Sequence, residues 1–580
     1  MTTIPWAAGP PAATRWQRAR AAFGPPPLPA AWSALIPLLA GVLVGSGILL
    51  GWRGGDLPAQ IYRVEAIRQH GLALWDSQWF AGHWMLGYSV LYPALAATIG
   101  LSVTSVLSAM AAASAFDRLV HVHFARAAAR PASIVFTVSL IVETAIGQLP
   151  FLAGEAAGLW CCLALARRRP WLAAVAAVAA GLLSPLAAAF VALAVAAWLL
   201  ATWWPATSAA PGRGAGAIGL GVGATGLGAG ATGATRRLLA WVAARWRRPG
   251  VGGAVAVMIA IGAPLGLVGL LFPGQGPMPY PVADWAWELA IAAVLWVITP
   301  AAERAVRAGL LLFAVVAGAS VAVPSALGGN IGRIEDCLAL PLAVALLWSR
   351  RRLLLALLAV PLVLSQGGPA WSAMTSDTGH PWMNQAYYQP LVRWLHHAGG
   401  PSSRVEVVPT ADHWESAYVA PTVALARGWE RQLDVADNPI FYEAGALNDA
   451  AYQAWLLDNG VRYVALPSAP LDYAGVAEGK LVASGVPGLR PVMRSARWRV
   501  YQVDGATGIV SGPGYLSRID GSQMAITATQ PGTVEVRVHD NPAWKVSSGA
   551  AILDTSPDGW ILVHAFEPGP VRLALGLPFP

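Results

Sequence analysis

Long apolar runs alternate with short arginine-rich breaks over the first two thirds of this chain. The first run, Ala31 to Gly51, is long enough to span a bilayer. The stretch from Trp52 to Pro93 breaks the pattern. It opens with an acidic residue, Asp56. An amphipathic segment follows, with Leu57, Ile61, Val64 and Ile67 on one face and Arg63, Glu65 and Arg68 elsewhere. Trp75, Trp79, Phe80, Trp84 and Tyr88 then give the aromatic content of a membrane interface. A second span is predicted from about Ser89 to Ala113. Taking each arginine cluster as an inner loop predicts about eleven spans, an inner N-terminus and an outer region after span eleven. Ser184-Pro185 splits one overlong run into two short spans, five and six. From about Trp371 the pattern becomes that of a soluble chain. Strands are predicted at 405–408, 461–466 and 498–503 and a helix at 450–459. Short alternating runs at 523–527, 533–539, 560–565 and 571–575 predict a small β-sandwich.

The expected organisation is therefore a polytopic α-helical membrane protein with a C-terminal extracytoplasmic α/β plus β-sandwich region. Residues 1–30 form a cytoplasmic tail and 31–371 the transmembrane domain. Within that domain, 53–88 is the first outer loop and 205–249 a flexible cytoplasmic loop. Residues 372–504 and 505–580 make the two outer domains.

Composition agrees. The chain has 580 residues, 56% hydrophobic and only 12% charged, against about 25% charged in soluble domains. Its net charge of +8 comes mostly from arginines clustered between spans, which speaks for membrane orientation and not for nucleic acid. Three cysteines, Cys161, Cys162 and Cys337, imply neither a disulfide framework nor metal spacing. Three GxGxxG matches at Gly214, Gly221 and Gly228 sit in a drifting Gly/Ala/Thr repeat without the strand that a dinucleotide site needs, so they read as linker.

The candidate chemistry gathers at the outer side: Asp56, Gln148, Glu155, Ser184, Asn330, Arg333, Glu335 and Asp336. Charges at membrane depth are expensive and mark cavities. Each has a structural alternative. Asp56 can cap the helix that starts at Leu57-Pro58, Arg333 can snorkel, and Glu155 can sit in a helix contact. His121 and His123 read as part of an interfacial helix, and His396-His397 and Asp412-His413 as surface residues.

GDLPAQIYR and LWDSQWFAGHWMLGY resemble the first outer loop of GT-C membrane glycosyltransferases, and of their PTPS-related membrane branch in actinobacteria in particular. GGNIGRIEDCLALP, ARGWERQLD, NPIFY and GVRYVALP resemble further landmarks of that branch. The resemblance implies inverting transfer from a polyprenyl-phosphate sugar to an envelope glycan or glycolipid at the outer face of the plasma membrane. Asp56 matches the acidic loop position and is the expected base. Many members carry an acidic pair there; here Leu57 follows, and a divalent metal as cofactor stays open, with no metal ligands assigned. Arg333, with Arg63, is expected at the donor phosphate. Glu155, Asn330, Arg427, Trp429, Glu430 and Arg431 are expected as supporting polar residues or on the acceptor side. The competing readings are a flippase for lipid-linked sugars and a non-catalytic polysaccharide-binding membrane protein.

Overall fold

The structure is a computed structural model that describes residues 29–72, 74–203, 250–274, 276–375, 379–398 and 402–576. The glycine-rich 205–249 stretch with its three GxGxxG matches lies outside them. The first helix, α1 (Ala30–Leu49), is followed by α2 (Leu57–His70) and α3 (Tyr92–Ile99). A bundle continues with α4 (Leu101–His123), α5 (Arg126–Ile146), α6 (Leu149–Ala166), α7 (Pro170–Leu183) and α8 (Pro185–Trp203). It closes with α9 (Val251–Leu271), α10 (Val282–Ile298), α11 (Arg304–Ala322), α12 (Arg333–Leu347) and α13 (Arg352–Thr375). Seven of these helices are long and apolar enough to cross a membrane, and α7 and the 352–368 part of α13 are shorter apolar helices. The chain is a membrane protein. Small side chains let the helices approach closely: Ile36, Ala40 and Val44 of α1 pack on Ala109, Ala112 and Phe136.

Two expectations shift. The second run is not one span from Ser89, because Gly100, at φ +92°, ends α3 and redirects the chain into α4. His121 and His123 consequently lie in the last turn of α4 and not in an interfacial helix. Nor does α2 present one apolar face to a membrane. Gln60, Tyr62, Arg63 and Val64 are all buried, because the C-terminal region covers the side that the pattern leaves polar.

That region begins with α14 (Gln385–Ala398). A four-stranded sheet follows, in the order β3 (Arg404–Val407), β4 (Val461–Pro467), β6 (Trp498–Val503), β5 (Leu489–Arg494), with β3 parallel to β4 and the other pairs antiparallel. Helices α15 (Glu415–Tyr418), α16 (Arg431–Asp437), α17 (Asp449–Asp458) and α18 (Val476–Ser484) connect its strands. Two four-stranded sheets complete the chain. One brings Val534, Val536, Ile561 and Val563, the other Met524, Ile526, Val571 and Leu573, into a shared core.

The first loop is wedged between these layers. Its ribbon, β1 (Trp75–Asp76) with β2 (His83–Trp84), hydrogen-bonds both C-terminal units. The Leu425 N–H donates to the Gln78 carbonyl at 2.8 Å and the Ser77 N–H to the Gly521 carbonyl at 3.1 Å. Trp79 and Phe80 share one core with Val405, Trp414 and Trp498, while Trp75 enters the sandwich core.

Candidate functional site

Asp56 is placed by backbone. The Gly54 and Asp56 N–H groups donate to the carbonyls of Ala145 and Ile146 at 2.9 and 3.0 Å, where α5 ends. Gly147, at φ +94°, lies so close to the Leu57 backbone that a Cβ there would collide with it. The capping expectation for Asp56 fails: its backbone is already helical (φ −82°, ψ −15°) and its side chain makes no capping hydrogen bond. The carboxylate turns instead to Arg333, whose Nη2 lies 3.9 Å from Oδ2.

Arg333 follows a tight turn over Gly328–Gly332 and begins α12. Its guanidinium stands 5.7 Å from the Phe151 ring centre. The two side chains remain 23% and 26% exposed, and both line a cavity of about 1100 Å³. The cavity lies between the helix bundle and the C-terminal region. Leu265, Val268 and Phe272 of the α9 segment give it an apolar wall, and Asn330 and Ser184 add polar groups.

The roof carries Trp429, Glu430 and Arg431. Glu430 holds Arg63 in a buried ion pair at 2.6 Å, and the Arg63 guanidinium lies 4.0 Å from the Tyr88 ring centre. The Trp429 indole N–H donates to the Gly55 carbonyl at 2.5 Å, one residue before Asp56. His413 stacks flat on that indole, 3.6 Å between ring centres. Its ring nitrogens lie 3.2 Å from Glu415 and 3.4 Å from Asp472. Asp472 also pairs with Arg431 at 2.9 Å. His413 and Asp412 are thus buried, contrary to the surface expectation, because the C-terminal core closes over them. His396 and His397 are exposed, as expected.

Electrostatics follow from this packing. Burial raises the Asp56 carboxyl above its usual range, opposed first by Arg333 and then by His413, Arg63 and Arg431. Burial works to lower the His413 imidazole, but Asp472 and Glu415 outweigh it, and the net direction is up. The charges bearing most on Asp56 are the cations Arg333, His413, Arg63 and Arg431.

Five of the candidate residues lie off the cavity wall: Gln148, Glu155, Glu335, Asp336 and Arg427. Arg427 is buried beneath it, with two nitrogens on Asp434 at 2.9 and 2.6 Å and a third on Glu478 at 3.1 Å. Glu155 lies one turn past Phe151 on α6, beside Glu143 and Cys337. The wall also includes Gln60, Tyr88, Asp284, Glu288, Tyr442 and Tyr473, which the sequence reading did not single out as site residues. Asp284 and Glu288, four residues apart at the start of α10, carried a signal: two acids on one face of an otherwise apolar helix.

The sequence matches no family model and no curated protein. Among solved structures it is similar to the arabinofuranosyltransferase AftD from Mycobacteria, at 14% identity and a TM-score of 0.42, over 95% of this chain and 60% of that one. It is also similar to the oligosaccharyltransferase of Archaeoglobus fulgidus solved with a tethered acceptor peptide, at 13% identity and a TM-score of 0.37, over 76% of this chain and 69% of that one. This chain therefore spans less than two thirds of the length of the AftD chain it is similar to.

Proposed function

We propose that this chain is a GT-C-type inverting glycosyltransferase, of the PTPS-related branch, that moves a sugar from a polyprenyl-phosphate donor to an envelope glycan or glycolipid. The observation that carries this reading is one juxtaposition. A carboxylate of raised basicity and a guanidinium stand 3.9 Å apart in a cavity with an apolar helical wall. The isoprenoid tail lies along the α9 wall. The acceptor hydroxyl oxygen bonds to the anomeric carbon as the bond from that carbon to the phosphate oxygen breaks. The hydroxyl proton passes to Asp56, and the bonding pair leaves with the phosphate. Arg333 takes the new negative charge, its planar fork matching phosphate oxygens. Arg63, already paired with Glu430, adds charge to the wall but not a free fork. Trp429, covered on one face by His413, holds the Asp56 loop as well as bounding the acceptor side.

The test is product formation. Membranes containing the chain, supplied with polyprenyl-phosphate sugars extracted from the same cells, are expected to release free polyprenyl phosphate. With Asp56→Asn the release is expected to fall by about 10²–10⁴-fold. A flippase would move the donor and leave it intact, so uncleaved donor that has crossed the vesicle membrane would decide against transfer.

A further inference from the structure

Beneath the cavity wall lies a second cluster that the transfer chemistry does not use. Glu143 comes from α5, Glu155 from α6 and Cys337 from α12. One oxygen of each glutamate and the Cys337 sulfur all lie within 4.8 Å of one another. Glu155 follows Phe151, and Cys337 follows Arg333, by four residues each. The cluster therefore sits about one turn, roughly 6 Å along the helix axes, from the cavity wall.

The Cys337 thiol donates to Glu143 Oε1 at 2.9 Å. Glu143 is only 5% exposed, yet its Oε2 has no partner, and neither has the buried Oε2 of Glu155. Among the described residues no ion pair reaches either glutamate. Arg333, the cation one turn above, is paired with Asp56. Two carboxyl groups and a thiol converge from three helices, the glutamates facing each other and each keeping one buried oxygen without a hydrogen-bond partner. Unpartnered acceptors there are costly, and a bound cation satisfies them together.

We propose that Glu143, Glu155 and Cys337 bind a divalent ion of the zinc class. Ligand bonds of about 2.0–2.3 Å put tetrahedral ligand atoms roughly 3.3–3.8 Å apart, so closing the group from its present spread needs small side-chain shifts. A thiolate with two carboxylates selects a borderline-soft ion over magnesium or calcium. Binding releases to solvent the thiol proton and the proton the two facing glutamates share in the metal-free site, and a water takes the fourth position. The ion ties α5, α6 and α12 together under the residue that starts α12, Arg333. This site is independent of the reading of the cavity as a transferase site.

The experiment uses the full chain in detergent, stripped with a chelator and titrated with cobalt(II). The expected result is one cobalt per chain, a sulfur-to-cobalt charge-transfer band in the near ultraviolet, and displacement of both by zinc. Cys337→Ser should remove the band, and Glu143→Gln should weaken binding by about tenfold or more. Cys161→Ala and Cys162→Ala should leave both signals in place. Zinc should raise the thermal midpoint of the parent chain but not that of Glu143→Gln, which also reports if one variant folds poorly. No cobalt uptake by the parent chain, or a band that survives Cys337→Ser, overturns the site. The two glutamates would then share a proton.

Discussion

At Arg333 the functional and the bland reading predict different chemistry. A snorkelling arginine tolerates lysine, since either cation reaches headgroups. A phosphate fork does not, because an ammonium is a point charge without paired planar donors. Arg333→Lys is therefore expected to keep folding and to lose donor affinity, seen as a raised KM for the polyprenyl-phosphate sugar. An unchanged KM returns Arg333 to snorkelling. Asp56 makes a pH prediction. A base acts only when ionised, and burial holds this carboxyl up, so the acid limb of kcat/KM should lie above that of a free aspartate and vanish in Asp56→Asn. Asp76 makes a separate one. Its carboxyl, 2% exposed, accepts from the Tyr62 hydroxyl and the Gln78 N–H, and burial raises it to about 6. The native state then holds a proton that the unfolded chain, at about 3.9, has already lost. The stabilisation is complete below about pH 4 and disappears as pH rises through 6, worth about 3 kcal/mol across the window. Asp76→Asn should abolish that slope and raise the thermal midpoint at neutral pH. A midpoint with the same pH dependence as the parent would refute the assignment.

At the scale of elements, legibility depended on how far away the partner lay. Strand β6, predicted over 498–503, forms over Trp498–Val503, because alternation in one run declares its buried face. The break at Ser184-Pro185 was legible for a similar local reason. The burial of helix α2 was not, because the residue that pairs with Arg63 is Glu430, 367 positions away. Asp56 and Arg333 were legible as unusual charges at one depth, whereas His413 gave no such sign: its neighbours Asp472 and Trp429 come from other loops. Arg427 illustrates the same limit. It was expected among the supporting polar residues or on the acceptor side, yet the side chain joins Asp434 and Glu478 inside the fold. Removing it would strand buried carboxylates, so Arg427→Ala is expected to cost about 3–5 kcal/mol and to loosen α16, with Arg431 at its start. Limited proteolysis and the thermal midpoint would show this. Parent-like stability together with a raised acceptor KM would instead place Arg427 at the substrate.

For the whole molecule, the arrangement of charge predicts orientation. α6, α10 and α12 each begin at the cavity, and each runs towards arginines: Arg167–Arg169, Arg304 and Arg350–Arg352. If those arginines face the cytoplasm, Ser484→Cys should react with an impermeant maleimide added to intact cells. Ser349→Cys should react only after permeabilisation. The reverse pattern would put the cavity on the cytoplasmic side and rule out chemistry at the outer face.

The wedge of the first loop between two layers also has a consequence in time. Residues 52–93 leave the ribosome early, but Arg63 waits for Glu430 and the Ser77 N–H waits for Gly521. At about 5–20 residues per second, synthesis of the intervening chain takes roughly 20–70 s for the first of these contacts alone. During that interval the loop bearing Asp56 has neither its roof nor its buried salt partner. Nascent chains thus cannot hold both contacts until Gly521 has been made, and a ribosome stalled before Glu430 leaves Arg63 without its carboxylate partner.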